Sequence, residues 1–397
     1  MSQSSGQKQR ISNRVRAIEG IGFARFLTLL HSMSKEGLIS LSVGEPDFGT
    51  ASPVCEAAAQ AASEGWTKYT PSNGFPELRE AIARDIEQRH GIKYDPETEV
   101  IVTVGVSQAL DLGFRAVLDP GDEVITPDPH YICYPPNITL SEGVTVRVPT
   151  DPSNSYALDP DEMEAKITPN TKVLLFGNPA NPTGALMEKN VLEGVAKIAE
   201  KHDLIVFADE IYNTYIYGGA KFTSFASLPG MKERTLLLDG FSKRYGMPGW
   251  RLGYAAGPKD IIKAMLEMMQ HTMLCPPNST QWAALAALNM DDEADFAKVL
   301  EHYDKRRNLL YTELNRIGLT TPEPKGAFYI FPDVSITGLS AEEFVEKLLL
   351  EEKVMCLPGD SFGDQGKQHI RICYATPYEG LQQALVRIEN FVNRYRK

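Results

Sequence analysis

From about residue 51 to about residue 289 the chain alternates short apolar runs with longer stretches whose apolar residues recur at helical spacing. The runs are EVIVTVG (99–105), DEVITP (122–127), VTVRVP (144–149), KVLLFGNP (172–179), LIVFADE (204–210) and TLLLDG (235–240). In TLLLDG the continuous run Leu236-Leu237-Leu238 is the pattern of a strand buried on both faces. Between the runs, SQALDLGFRAVL and EKNVLEGVAKIAEKH carry the three-and-four spacing of amphipathic helices. Such alternation predicts an α/β fold with a mostly parallel sheet covered on both sides.

Beyond about residue 290 the rhythm changes. Phe296, Val299, Leu300, Tyr303, Leu310 and Leu314 mark one face of a long helix. Leu381, Leu385, Ile388, Val392 and Tyr395 do the same for a terminal helix, and GAFYIF (326–331) and HIRICYA (369–375) read as strands. The expectation is a large domain over 49–290, a smaller α+β domain over 291–397, and an arm over 1–48 that joins the smaller one. Within the arm, residues 1 to about 12 are polar and read as disordered. Val15, Ile18, Ile21, Phe23, Phe26, Leu27, Leu29 and Leu30 then give a mixed helical pattern broken by Gly20 and Gly22. LISLSVGEPDF (38–48) supplies a short strand and a turn.

At 397 residues, 43% hydrophobic and 23% charged, the chain has the bulk character of a soluble globular protein of about two domains. A net charge of −12 argues against nucleic acid as a partner, because phosphate neutralisation needs clustered Lys and Arg. The five cysteines (Cys55, Cys133, Cys275, Cys356 and Cys373) form no CxxC pair and have no His at metal spacing. They read as reduced thiols, with no metal site. The amino terminus MSQSSGQKQR lacks the apolar core of a signal peptide, and no apolar run nears the ~20 residues that span a bilayer. The expected location is therefore cytoplasmic, away from membranes.

The residues that end the apolar runs change the picture most. TLLLDG is followed by Phe241, Ser242 and Lys243, which puts a lysine at the carboxyl end of a buried strand, where open α/β sheets bind ligands. Arg251, eight residues on, carries a guanidinium suited to phosphate. EVIVTVG leads into Val106-Ser107-Gln108 at a helix start, where free N–H groups and a hydroxyl suit an anion. Taken alone, that serine is also an ordinary N-cap. KVLLFGNP runs into NPANPTG (178–184), whose prolines fix φ on either side of Asn181. LIVFADE supplies Asp209, with Tyr212 just beyond.

Together SKRYGMPGWRLGY (242–254), NPANPTG and ADEIY resemble the class I/II aminotransferases, fold type I enzymes of pyridoxal 5′-phosphate (PLP). The resemblance runs from LSVGEPDF to the terminal helix. It implies that Lys243 is the Schiff-base lysine, and that its freed amine moves a proton between substrate and cofactor. It implies that Asp209 keeps the pyridine nitrogen protonated, which makes the ring an electron sink. By the same resemblance Asn181 and Tyr212 face the cofactor's 3′-oxygen, and Tyr131 stacks on its ring. Val106 (through its backbone), Ser107 and Arg251 hold the phosphate. Arg371, in HIRICYA, binds the substrate α-carboxylate as a fork, with Asn181 and the Gly44 N–H beside it. Read without the resemblance, Gly44 is equally a plain turn glycine. Tyr69 is implied to reach the phosphate of a neighbouring subunit, giving a homodimer with shared active sites. One departure stands out. Many members carry a hydroxyl three residues before the lysine, where this chain has Gly240, implying a weaker grip on phosphate or a water in its place. His130 has no suggested partner and reads as structural. Met265, Met268, Met269 and Met273 read as filling a core or subunit contact.

The implied reaction is ping-pong transfer of the amino group of an L-amino acid (aspartate, aromatic or alanine type) to a 2-oxo acid such as 2-oxoglutarate. The alternative on the same fold is a PLP-dependent lyase, of the C–S β-lyase or cyclopropane-carboxylate synthase type. A transcription-regulator sensor half would need a winged-helix domain, and only about forty residues precede LSVGEPDF. No GxGxxG follows a strand, which argues against a nicotinamide dehydrogenase. A dicarboxylic substrate would need a second cation, for which Arg14, Arg16 and a residue of a second subunit stand unranked.

Overall fold

A computed structural model of the chain describes residues 10–18 and 36–397. The helical pattern expected at Ile21, Phe23, Phe26, Leu27, Leu29 and Leu30 lies outside the described residues, as does most of the stretch expected to be disordered. Strand β1 (Ile39–Ser40) comes first in the chain. The large sheet is then built from β2 (Val100–Thr103), β3 (Glu123–Asp128), β4 (Val144–Pro149), β5 (Thr171–Gly177), β6 (Ile205–Asp209), β7 (Thr235–Gly240) and β8 (Gly253–Ala256). Its spatial order is β2-β8-β7-β6-β5-β3-β4. All six apolar runs are strands. The seventh strand, β8, was not foreseen; it is antiparallel to both neighbours, β2 and β7, while every other pairing is parallel.

Strand side chains alternate between faces, and here both faces are covered. Val173, Leu175, Leu236 and Leu238 pack with the helices Gly105–Val117 and Lys259–Thr272. Leu174, Phe176, Val206 and Ala208 pack on the other side with the helix Lys189–Lys201. Strand β7 is buried along its whole length, whereas β4, at the sheet's edge, is largely open. Met265 and Met269 lie in the core, Met268 packs at its margin, and Met273 is exposed.

The carboxyl-terminal part has its own core. The helices Glu293–Arg316, Ala341–Glu352 and Tyr378–Tyr395 bury Tyr303, Leu310, Phe344, Leu348 and Ile388 against one another. Strands β9 (Tyr329–Ile330), β10 (Val354–Met355), β11 (Leu357–Pro358) and β12 (Ile370–Cys373) belong to this part. They form a small antiparallel sheet, β11-β12-β9, and a two-stranded pairing of β10 with β1. GAFYIF is strand only at Tyr329–Ile330; Gly326 bridges to Ile216, and a turn at Ala327 and Phe328 separates the two. No helix among the described residues is long and apolar enough to cross a membrane.

What positions the site is the direction of the strands. Because β8 reverses twice against its neighbours, β2 runs parallel to β7, and the carboxyl ends of β2, β3, β5, β6 and β7 share one edge. The amino end of β8, with Arg251 just before it, comes to that same edge. Close backbone approach makes this possible. Gly240 pairs with Gly253 across the β7–β8 ladder, and a Cβ on Gly253 would lie 2.7 Å from the Val106 nitrogen and 2.9 Å from the Gly105 carbonyl carbon. These atoms are backbone and cannot swing aside. Gly253→Ala should therefore lower stability by roughly 1–3 kcal/mol, the usual cost of overpacking a tight interior. Gly249→Ala, where a Cβ meets nothing within 4 Å, should shift the denaturation midpoint negligibly. Equal midpoints for the two variants in chemical denaturation would contradict this packing.

Candidate active site

At that shared edge a cavity of about 520 Å³ opens between the large sheet and the strands β9, β10, β11 and β12. It brings together Gly44, Val106, Ser107, Tyr131, Asn181 and Asp209, and also Tyr212, Lys243, Arg251 and Arg371. Tyr69 is the exception: its side chain is 82% exposed and does not line this cavity of its own chain.

Lys243 stands three residues past the end of β7. The protein crowds around its amine, and removal from water is the main cause that lowers its pKa to about 8. The nearby Arg371 pushes the same way, while Cys373, Glu45 and Asp209 oppose. Among the described residues no salt bridge balances the ammonium. Its Nζ donates instead to the Gly44 carbonyl at 2.5 Å and lies 5.6 Å from the Tyr212 ring and 5.7 Å from the Phe328 ring.

Asp209 ends β6 deep in the cavity. Burial raises its pKa to about 6, against the hydrogen bond it accepts from the Tyr134 hydroxyl at 2.8 Å. The Ile211 backbone N–H also donates to it, at 3.4 Å. Tyr134 is fully buried and meets Tyr131 edge to face, with ring centroids 5.4 Å apart. The Tyr131 ring therefore stands at the cavity wall on a fixed support.

At the far end the helix Gly105–Val117 begins with no side-chain cap and no acidic residue in its first turn. Its first N–H groups and the positive end of its dipole are left for an anion. The exposed Ser107 hydroxyl lies there too. Arg251 holds a left-handed backbone (φ 53) that ordinary residues avoid, and it donates to the Pro248 carbonyl at 3.0 Å. Its guanidinium crosses Gly105, where a Cβ would come within 2.7 Å of Nη2. Gly240 lies in the β7–β8 ladder opposite Gly253. A Cβ there would lie 2.7 Å from the Gly253 Cα, so the β7–β8 contact itself excludes a serine or threonine.

Arg371 projects from β12 and is buried. Nη1 donates to Asn181 Oδ1 at 3.0 Å and Nη2 to the Ser42 carbonyl at 2.5 Å, while Nε is buried without a partner. Its guanidinium sits over the rings of Tyr329, at 4.5 Å, and Phe362, at 5.0 Å. Tyr212 shares a 2.6 Å hydrogen bond with the Tyr329 hydroxyl. His130 is buried, with Nδ1 2.5 Å from the Phe362 carbonyl and burial lowering its pKa to about 3. It ties two loops together as a neutral ring.

The sequence reading missed Tyr134, Tyr329 and Ser42. Tyr134 lies three residues past Tyr131, but nothing local ties it to Asp209, 75 residues away. Tyr329 and Ser42 are joined to the site by contacts 117 and 329 residues apart in sequence. No spacing rule reaches that far.

The donor set suits PLP on the geometry alone. An uncapped helix start with Ser107 and Arg251 would suit a phosphate, a buried carboxylate a ring nitrogen, and an amine of lowered pKa an aldehyde. Comparison with known proteins agrees. The family described as aminotransferase class I and II matches residues 36–388. The putative aminotransferase YugH of Bacillus subtilis is 45% identical over 384 residues, 97% of this chain and 98% of that one. The aspartate aminotransferase of Pyrococcus abyssi is 45% identical over 89% of this chain and 91% of its own length. Among solved structures, the aromatic aminotransferase of Pyrococcus horikoshii superposes with a TM-score of 0.89 at 41% identity, over 93% of this chain and 98% of that one. With the site so built and these relatives beside it, the chain belongs to the class I and II aminotransferases, as a PLP-dependent transaminase of fold type I.

Proposed function

We propose that this transaminase takes its amino group from neutral, monocarboxylic L-amino acids, aromatic or alanine-type, ahead of aspartate, and passes it to a 2-oxo acid. The observation that carries this is the placement of charge in the cavity. Its described lining holds three cations, Lys243, Arg251 and Arg371, and each has a task already. The wall around them is mainly apolar, with Val43, Ile132, Met355 and Leu357. Among the described residues of the chain no further cation lines the cavity to meet a side-chain carboxylate, whose removal from water is costly.

When bound, PLP supplies an aldehyde that takes up the donor's nitrogen and a ring that accepts negative charge from the α-carbon. The rest falls to the chain. Arg371 receives the α-carboxylate as a two-pronged donor, exchanging Asn181 Oδ1 or the Ser42 carbonyl for substrate oxygens. Gly44 borders the same position and offers its N–H. The Lys243 amine, half neutral near pH 8, is strong enough to remove the α-proton and weak enough to return it. Asp209, held by Tyr134, lies where it can keep the ring nitrogen protonated. Asn181 and Tyr212 would face the 3′-oxygen, and Tyr131 would back the ring. Ser107, the Val106 N–H and Arg251 would hold the phosphate.

Tyr69 is assigned to a second copy of the chain, which makes the active unit a homodimer with shared sites. Its exposure on its own subunit supports that reading. The expected division at residues 48 and 290 remains part of the proposal, with the cavity at the junction of its two larger parts. A cytoplasmic location is proposed on the five free cysteines.

Half-reactions on the PLP-loaded protein test the proposal. With donor alone, one equivalent of 2-oxo acid should form and no ammonia, and kcat/KM for phenylalanine, tyrosine or alanine should exceed that for aspartate by about tenfold or more, the effect of one lost charged contact. Continuous ammonia release would mean a lyase, and an aspartate preference would place a further cation in the site. The lysine has its own signature. Capture of PLP by the cofactor-free protein needs the neutral amine, so its rate should rise with pH through a midpoint near 8 instead of the 10.5 of an ordinary lysine. A midpoint near 10 would show that the amine is not desolvated.

A further inference from the structure

Tyr329 belongs to none of the roles above, yet it touches the residues that carry three of them. It is fully buried in β9, where Cys373 of β12 is its ladder partner, so two paired strands fix its position beside Arg371. Its ring forms one wall against the Arg371 guanidinium at 4.5 Å, and Phe362 forms another at 5.0 Å. Arginine has many rotamers, and packing between aromatic faces removes most of them without neutralising the charge. A counter-ion would fix the side chain equally well but would compete with an incoming carboxylate. Aromatic walls do not.

The hydroxyl acts at the other side. It lies 2.6 Å from the Tyr212 hydroxyl, and at that distance one phenol donates to the other. When Tyr329 donates, the proton of Tyr212 is left for a third acceptor in the cavity. The space for this hydroxyl is made by Gly44, because a Cβ on Gly44 would overlap it. Gly44 is also the residue whose carbonyl holds Lys243 at 2.5 Å. One side chain thus adjoins the carboxylate-binding arginine, the phenol that faces the cofactor oxygen, and the loop that holds the lysine.

We propose that Tyr329 is a positioning residue for the reaction: its ring sets the plane of Arg371, and its hydroxyl directs the proton that Tyr212 donates. This rests on the roles given to Arg371, Tyr212 and Lys243 above. Tyr329→Phe keeps the wall and removes the hydroxyl, and Tyr329→Leu removes both. In the PLP-loaded protein the pH midpoint of the cofactor's visible absorption band reports on hydrogen bonding at the 3′-oxygen, and KM for alanine or phenylalanine reports on Arg371.

Tyr329→Phe should move the band's midpoint by about half a pH unit or more, as the loss of one buried hydrogen bond implies, and lower kcat while KM stays within about twofold. Tyr329→Leu should in addition raise KM several-fold to about tenfold, the scale of a lost cation–π contact. Should Tyr329→Leu fail to fold, Phe362→Leu removes the opposite wall and should raise KM in the same way. An unchanged midpoint in Tyr329→Phe overturns the role of the hydroxyl. An unchanged KM in Tyr329→Leu, or in Phe362→Leu where it stands in, overturns that of the ring. A wild-type protein that binds PLP without a band that titrates would instead overturn the underlying assignment of the site.

Discussion

The structure depends on keeping one primary amine away from bulk water without giving it a carboxylate. An ion pair would hold Lys243 charged and inert at neutral pH, and full exposure would do the same. Here burial strips the amine of water and lowers its pKa to about 8, with Arg371 adding to the effect and Cys373, Glu45 and Asp209 opposing it. The rest of the fold serves that condition. A strand buried along its whole length carries the lysine to the sheet's edge, and the β9 to β12 side of the cavity closes over it. The acid that would normally neutralise a lysine, Asp209, is turned toward Tyr134.

The second constraint is the thinness of the backbone at the anion cradle. Gly105, Gly240 and Gly253 lie so close that each added Cβ would meet a neighbour at 2.7 Å. The helix start and Arg251 are thereby drawn to one point. The same contact leaves no room for a side chain at position 240. An uncapped helix terminus and a guanidinium held in a left-handed backbone stand together at the cradle.

Much of this was legible in the sequence because strand ends are local. A run such as LIVFADE states both its burial and the polar residue at its end, and parallel topology gathers such ends without further information. That is why Asp209, Asn181, Ser107 and Lys243 could be named together. Strand β8 was not legible: GYAA is four residues long, opens with glycine and begins within the end of the motif that carries the lysine. Tyr134, Tyr329 and Ser42 escaped for a different reason, since each enters the site through a contact between distant segments. The proposed reach of Tyr69 to a second subunit is likewise not written in the fold of one chain.

The most direct measurement is chemical. The PLP-loaded protein is reduced with borohydride, digested and mapped by mass. The account predicts a single cofactor-modified peptide, the one containing Lys243. Modification at any other lysine, or none in a protein that transaminates, would contradict it.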